Sequence, residues 1–222
     1  MNIISIDTVT SCLSVTAKGI NGEITVSMKS GVQHAENLVN LIDHTINLAG
    51  FTPMETELVV CAEGPGSFTG LRLGWSSAKA IQLASSCPLI AVPPLPCYAD
   101  VFKSWSGAVI SVLDAKKLRF YVQIFKKGTA ITEALDIQET DVLRYVDQTD
   151  RILVTGPDAT LFSERLLLSC TGLDVTTIPS GVDGISSTMT VFAENGFSGY
   201  NGKIPDHAGP IYVRKSDAET TQ

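Results

Sequence analysis

The chain has 222 residues, enough for one large or two small domains with workable cores. Lysine plus arginine number 16 and aspartate plus glutamate 23, a net charge of −7. That balance argues against a free-standing nucleic-acid binder, because neutralising phosphates needs a surplus of cations on one face. With 44% hydrophobic and 18% charged residues, the composition is that of a packed chain rather than a disordered one.

The first 27 residues read as β structure. Ile3, Ile4 and Ile6 lead to Asp7 and a polar turn with Thr8, Thr10 and Ser11. Leu13, Val15 and Ala17 alternate with Ser14 and Thr16, and Asn21-Gly22 marks a hairpin returning through Ile24–Met28. Residues 34–49 carry a helical arc of Leu38, Leu41, Ile42 and Ile46 opposite Asn40, Asp43 and Asn47, closed by Gly50. A short buried strand, Leu58–Ala62, precedes the string Gly64-Pro-Gly-Ser-Phe-Thr-Gly70, read as a loop. A helix over 71–85 and a strand over 89–92 follow, and Pro93, Pro94 and Pro96 mark a break. Beyond it, 97–103 reads as a helix. Ala108–Leu113, ending on Asp114, and Phe120–Phe125 read as a hairpin joined through Ala115-Lys-Lys-Leu118. A strand over 152–154 and helices near 138–147, 159–169 and 186–195 complete the reading. Both halves open on β structure with an Asp at a strand end, so the order implies an α/β fold used twice.

No segment offers the roughly 20 apolar residues that span a bilayer; Cys87–Phe102 is interrupted by Pro88, Pro93, Pro94 and Pro96. Residues 1–6 lack a basic region followed by a long apolar run, so a cytoplasmic chain is expected. Five cysteines without CxxC spacing read as reduced thiols.

The glycine string is neither a P-loop nor a dinucleotide fingerprint, since Leu71-Arg72 follow Gly70 and Thr69 stands where a glycine is needed. Its glycines are expected to shape a tight strand-to-helix connection. Ser67 lacks the G-x-S-x-G elbow, and no pair of histidines has metal-ligand spacing. His34 is expected to pack or cap rather than to ligate. An Asp ending a strand before a Thr/Ser turn resembles the phosphate turns of acetate kinases, sugar kinases, actin and heat-shock ATPases. In those turns glycines let amides reach phosphate. Here Asp7 is followed by Thr8-Val9-Thr10 and Asp114 by Ala115-Lys116, so both turns are crowded and read as relics.

Ile4-Ser-Ile-Asp-Thr8, His34-Ala-Glu-Asn-Leu38, Gly64-Pro-Gly-Ser-Phe-Thr-Gly-Leu-Arg72, Asp114-Ala-Lys116 with Tyr121, and Pro210-Ile-Tyr-Val-Arg214 together resemble the TsaB (YeaZ) family. The resemblance implies a two-lobed actin-like ATPase fold with duplicated ribonuclease-H-like subdomains and a degraded nucleotide site. The implied lobes are 1–96, carrying partner-binding helices, and 97–222, smaller and divergent. The implied role is that of a noncatalytic scaffold subunit. It would be required by a TsaD paralogue for N6-threonylcarbamoyladenosine modification of tRNAs reading codons that begin with A. A TsaE-like ATPase would complete the complex, and the chain alone would form a homodimer. No cofactor, metal or catalytic residue is expected, and tRNA is expected only through the complex. The alternatives weighed are an active small-molecule kinase or ATPase and an M22-like peptidase. The expected partner interface uses Leu38, Leu41, Ile42, Leu71, Gly74, Trp75, Ala78, Ala80 and Ile81. Lys116, Lys117 and Arg119 read as a solvated hairpin tip, with an RNA-phosphate or partner contact as the alternative.

Overall fold

A computed structural model describes residues 1–29, 31, 33–147, 149–196 and 208–214. The chain divides into two compact units, Met1–Pro94 with Asp183–Ile211, and Leu95–Val182 with Tyr212–Gln222.

In the first unit, β1 (Ile3–Asp7), β2 (Cys12–Gly19) and β3 (Gly22–Lys29) form an antiparallel meander, and β4 (Leu58–Ala62) and β5 (Leu89–Val92) extend it in parallel. The strand order is β3-β2-β1-β4-β5. Strand side chains alternate between faces, and the two faces differ in kind. Ile4, Ile6, Leu13, Val15, Ala17, Val59 and Cys61 form an apolar core with α1 (His34–Ala49) and α2 (Phe68–Ser85). Ser5, Asp7, Ser14 and Thr16 lie on the other face, fully buried, beneath α5 (Ser186–Glu194). That helix packs on β1, β2, β4 and β5. Hydroxyls join the layers: Ser5 to Thr190 at 2.6 Å, Ser14 to Ser186 at 3.0 Å and Thr16 to Ser186 at 2.8 Å. The expected second lobe, 97–222, took in α5; the structure gives α5 to the first sheet because this hydroxyl layer needs partners there.

The second unit repeats the order. Here β6 (Ala108–Asp114) and β7 (Phe120–Lys126) pair as a hairpin, with β10 (Ile152–Gly156) parallel to β6 and β11 (Val175–Pro179) parallel to β10. The short β8 (Thr129–Ala130) and β9 (Leu135–Ile137) share the far side of β7. Phe162 and Leu166 of α4 (Ala159–Ser169) join Ile110, Val112, Phe120 and Val122 in one core. On the other face, Val109, Leu153 and Phe125 pack with Ala99 of α3 (Pro94–Asp100).

Three expected helices shift. The one at 97–103 begins at Pro94, since proline fits a helical first turn. The one at 138–147 is a 3₁₀ turn, Glu139–Arg144, closed by i→i+3 bonds such as Tyr145 N to Val142 O. The helix after the glycine string starts at Phe68, not Leu71.

Candidate functional site

The Asp7 turn lies where β1 ends. Its carboxylate is fully buried and bonded by the chain itself: Oδ1 accepts the Val9 amide at 3.1 Å and Oδ2 the Ile185 amide at 2.9 Å. Burial pushes the carboxyl up to about 6, against these amides and the charge of His34, which pull it down. The N-terminal end of α5 closes over this oxygen; a Cβ on Gly184 would meet Ser14 Oγ at 2.1 Å. His34 bonds Thr10 O through Nε2 at 2.7 Å, so it braces the same turn from α1.

The glycine string wraps the Thr8-Val9 segment. Ser67 N donates to Val9 O at 2.9 Å, and Thr8 Oγ1 donates to Gly70 O at 2.7 Å. A Cβ at Gly66 would lie 2.6 Å from Val9 Cβ, at Gly70 2.0 Å from Thr8 O, and at Gly74 2.5 Å from Thr8 Oγ1. These glycines permit close approach of two backbones, as expected of a packing connection. The Ser67 side chain accepts from Gly70 N at 3.2 Å and caps α2. Phe68-Thr69-Gly70 is thus a first helical turn.

The Asp114 turn of the second unit is open to solvent. Asp114 Oδ1 accepts the Lys116 amide and Oδ2 pairs with Lys116 Nζ, both at 2.8 Å, and the Asp114 amide donates to Asp158 at 2.8 Å. Burial raises the Asp114 carboxyl, and the Lys116 bonds outweigh it, leaving the group below its ordinary value. Lys116 and Lys117 are exposed. Arg119 is not available as expected: its Nε bonds Asp136 Oδ1 at 2.8 Å and its Nη2 the Asp136 carbonyl. Arg214 grips the same carboxylate through Nε at 2.6 Å and Nη2 at 2.8 Å. Neither partner was identified from the sequence, although Arg214 stands in one of the quoted strings.

The residues of the expected interface face mostly inward. Leu38, Leu41, Ile42, Leu71, Gly74, Trp75, Ala78 and Ile81 are buried within the first unit, and only Ala80 of the nine is exposed. Their i, i+3, i+4 spacing turns them onto the sheet, and Gly74 is small because Thr8 lies beneath it. The outward surface instead carries Ala80, Leu83 and Ala84 on α2, with Leu83 84% exposed, and Val39 on α1, 69% exposed. Among the described residues no group of three His, Cys, Asp or Glu side chains could hold a metal ion, and no helix is long and apolar enough to cross a membrane.

A family profile described as TsaD, tRNA N6-adenosine threonylcarbamoyltransferase, matches residues 22–175. The chain belongs to this family, in its TsaB/YeaZ branch. The tRNA threonylcarbamoyladenosine biosynthesis protein TsaB of Bacillus subtilis is 24% identical over 138 residues, 60% of this chain and 60% of the relative. The Escherichia coli protein of the same name is 26% identical over 126 residues, 54% of this chain and 53% of the relative. The chain thus spans little more than half the length of these relatives. The structure of YeaZ from Pseudomonas aeruginosa superposes with a TM-score of 0.76 at 18% identity, covering 95% of this chain and 99% of that one. The chain shares the fold of that structure.

Proposed function

We propose that this chain is a noncatalytic scaffold subunit in the N6-threonylcarbamoyladenosine modification of tRNA, required by a TsaD-type paralogue. The family match supports the pathway. The Asp7 site supports the absence of catalysis and is the observation that carries the reading. The carboxylate that would meet Mg²⁺ or phosphate in an active relative is fully buried, with both oxygens bonded to the chain's own amides. The catalytic transfer then belongs to the paralogue, and a TsaE-like ATPase joins the assembly. The paralogue, or a second copy of this chain in its absence, docks on the outward surface of α1 and α2 around Val39, Ala80 and Leu83. The tRNA is met only within the assembly, through Lys116 and Lys117.

The test is reconstitution with each subunit omitted in turn. Modification is expected to need this chain together with the paralogue, while the pure chain shows no Mg²⁺-dependent ATP turnover. Robust turnover that disappears in Asp7→Asn would overturn the scaffold reading, and full modification without this chain would overturn its place in the assembly.

A further inference from the structure

The connection between β6 and β7 is unusual in its backbone. Lys116, Lys117 and Leu118 have φ of 60°, 54° and 60°. These are three successive side-chain-bearing residues in a region that ordinarily admits such residues singly. All three side chains are exposed, so none of them buries surface that would offset the strain. The turn is closed locally by Ala115 N to Arg119 O at 3.0 Å and by the Asp114–Lys116 bonds, and it is also held by bonds made to it from outside.

Those bonds converge on one carboxylate. Arg214 Nη1 donates to Ala115 O, at the start of the turn, at 3.0 Å, while its Nε and Nη2 hold both oxygens of Asp136. Arg119, at the other end of the turn, is held by Asp136 through Nε, and its backbone amide donates to Lys116 O at 3.1 Å. Asp136, on β9, thus fixes both ends of the strained segment, one of them through a residue of the C-terminal segment.

We propose that Arg214 and Asp136 form a latch that keeps turn 115–118 in its left-handed conformation, so that the C-terminal segment governs how Lys116 and Lys117 are presented. The sheet does not depend on the latch. The β6–β7 pairing runs from Ala108 opposite Lys126 to Asp114 opposite Phe120 on backbone bonds, above a continuous apolar core. Opening the latch therefore frees the turn and spares the hairpin. The inference stands whatever the turn binds.

Limited trypsin digestion of the 222-residue chain reads the latch directly, because cleavage after Lys116 or Lys117 needs the turn to leave its tight conformation. Lys127, exposed in the neighbouring β7–β8 turn, provides an internal control. Arg214→Ala and Asp136→Asn are each expected to speed cleavage in the turn about tenfold, the scale of one lost charge-assisted hydrogen bond acting on local opening. Cleavage after Lys127 should be unchanged. Arg214→Lys, which keeps the charge without the planar fork, should fall between parent and Arg214→Ala. An unchanged rate in the turn for either of the first two variants, or equal acceleration after Lys127, overturns the latch.

Discussion

The Asp7 carboxylate accepts the backbone amide of Ile185 at 2.9 Å, joining residues 178 apart in sequence. The end of the first strand is thereby fastened to the start of α5, and a carboxylate at a strand end serves as a helix anchor. Asp7→Ala leaves two buried amides without an acceptor and should cost roughly 2–4 kcal/mol. That exceeds the ~1 kcal/mol of a bond within a local turn. Asp7→Asn keeps one acceptor oxygen and should cost less. Urea denaturation at neutral pH measures both.

The same carboxyl makes stability depend on pH. Its folded value of about 6 lies above the ordinary 3.8, so the folded protein holds this proton more tightly than the unfolded chain does. The contribution is full below the unfolded value and is lost as pH rises through the folded one, with a slope approaching 1.4 kcal/mol per pH unit. Denaturation of parent and Asp7→Asn should diverge across that window. Parallel curves would show that Asp7 does not titrate there.

Ala78 and Ala80 separate fold from assembly. Ala78 is fully buried and Ala80 exposed on the same helix. Ala78→Arg forces a charge into the core and should unfold the first unit, seen as lost circular dichroism. Ala80→Arg should change stability by no more than about 0.5 kcal/mol and abolish co-elution with the paralogue on gel filtration. A folded Ala80→Arg protein that still co-elutes places the interface elsewhere.

Gly70→Ala tests the glycine string. The added methyl carbon would lie 2.0 Å from the Thr8 carbonyl oxygen, and helix propensity alone predicts a gain of about 1 kcal/mol. The steric reading predicts the opposite sign, a loss of roughly 1–3 kcal/mol. Thermal unfolding decides between them.

Binding of tRNA by the lone chain should be weak at physiological salt, given its charge of −7. Within the assembly, Lys116→Gln with Lys117→Gln should lower the salt dependence by about two phosphate contacts. Filter binding across a salt series provides the measurement, and an unchanged slope would remove the lysines from the RNA contact.

The limits of legibility follow sequence separation. Residues 34–49, 58–62 and 159–169 form the expected elements because each has its own period and stop. The start of α2 was misplaced because Gly70 was read as a loop residue, when it is small to let Thr8 approach. The edge strands β9 and β11 are half-exposed, and their residues show no alternation of burial. Asp7 was legible as a relic phosphate-turn residue, but not its burial or its partner Ile185. Arg119 was read as a free cation because Asp136 and Arg214 meet it only in the folded chain.

The position of α5 has a consequence during synthesis. The first sheet is fully translated by Val92, yet its polar face waits for Ser186 and Thr190. At an elongation rate of roughly 5–20 residues per second that interval is on the order of ten seconds. During it the nascent chain carries Asp7, Ser5, Ser14 and Thr16 uncovered. The first unit to begin emerging from the ribosome therefore stays open while Leu95–Val182 of the second is made, and a ribosome that stalls in between leaves a sheet with one face bare.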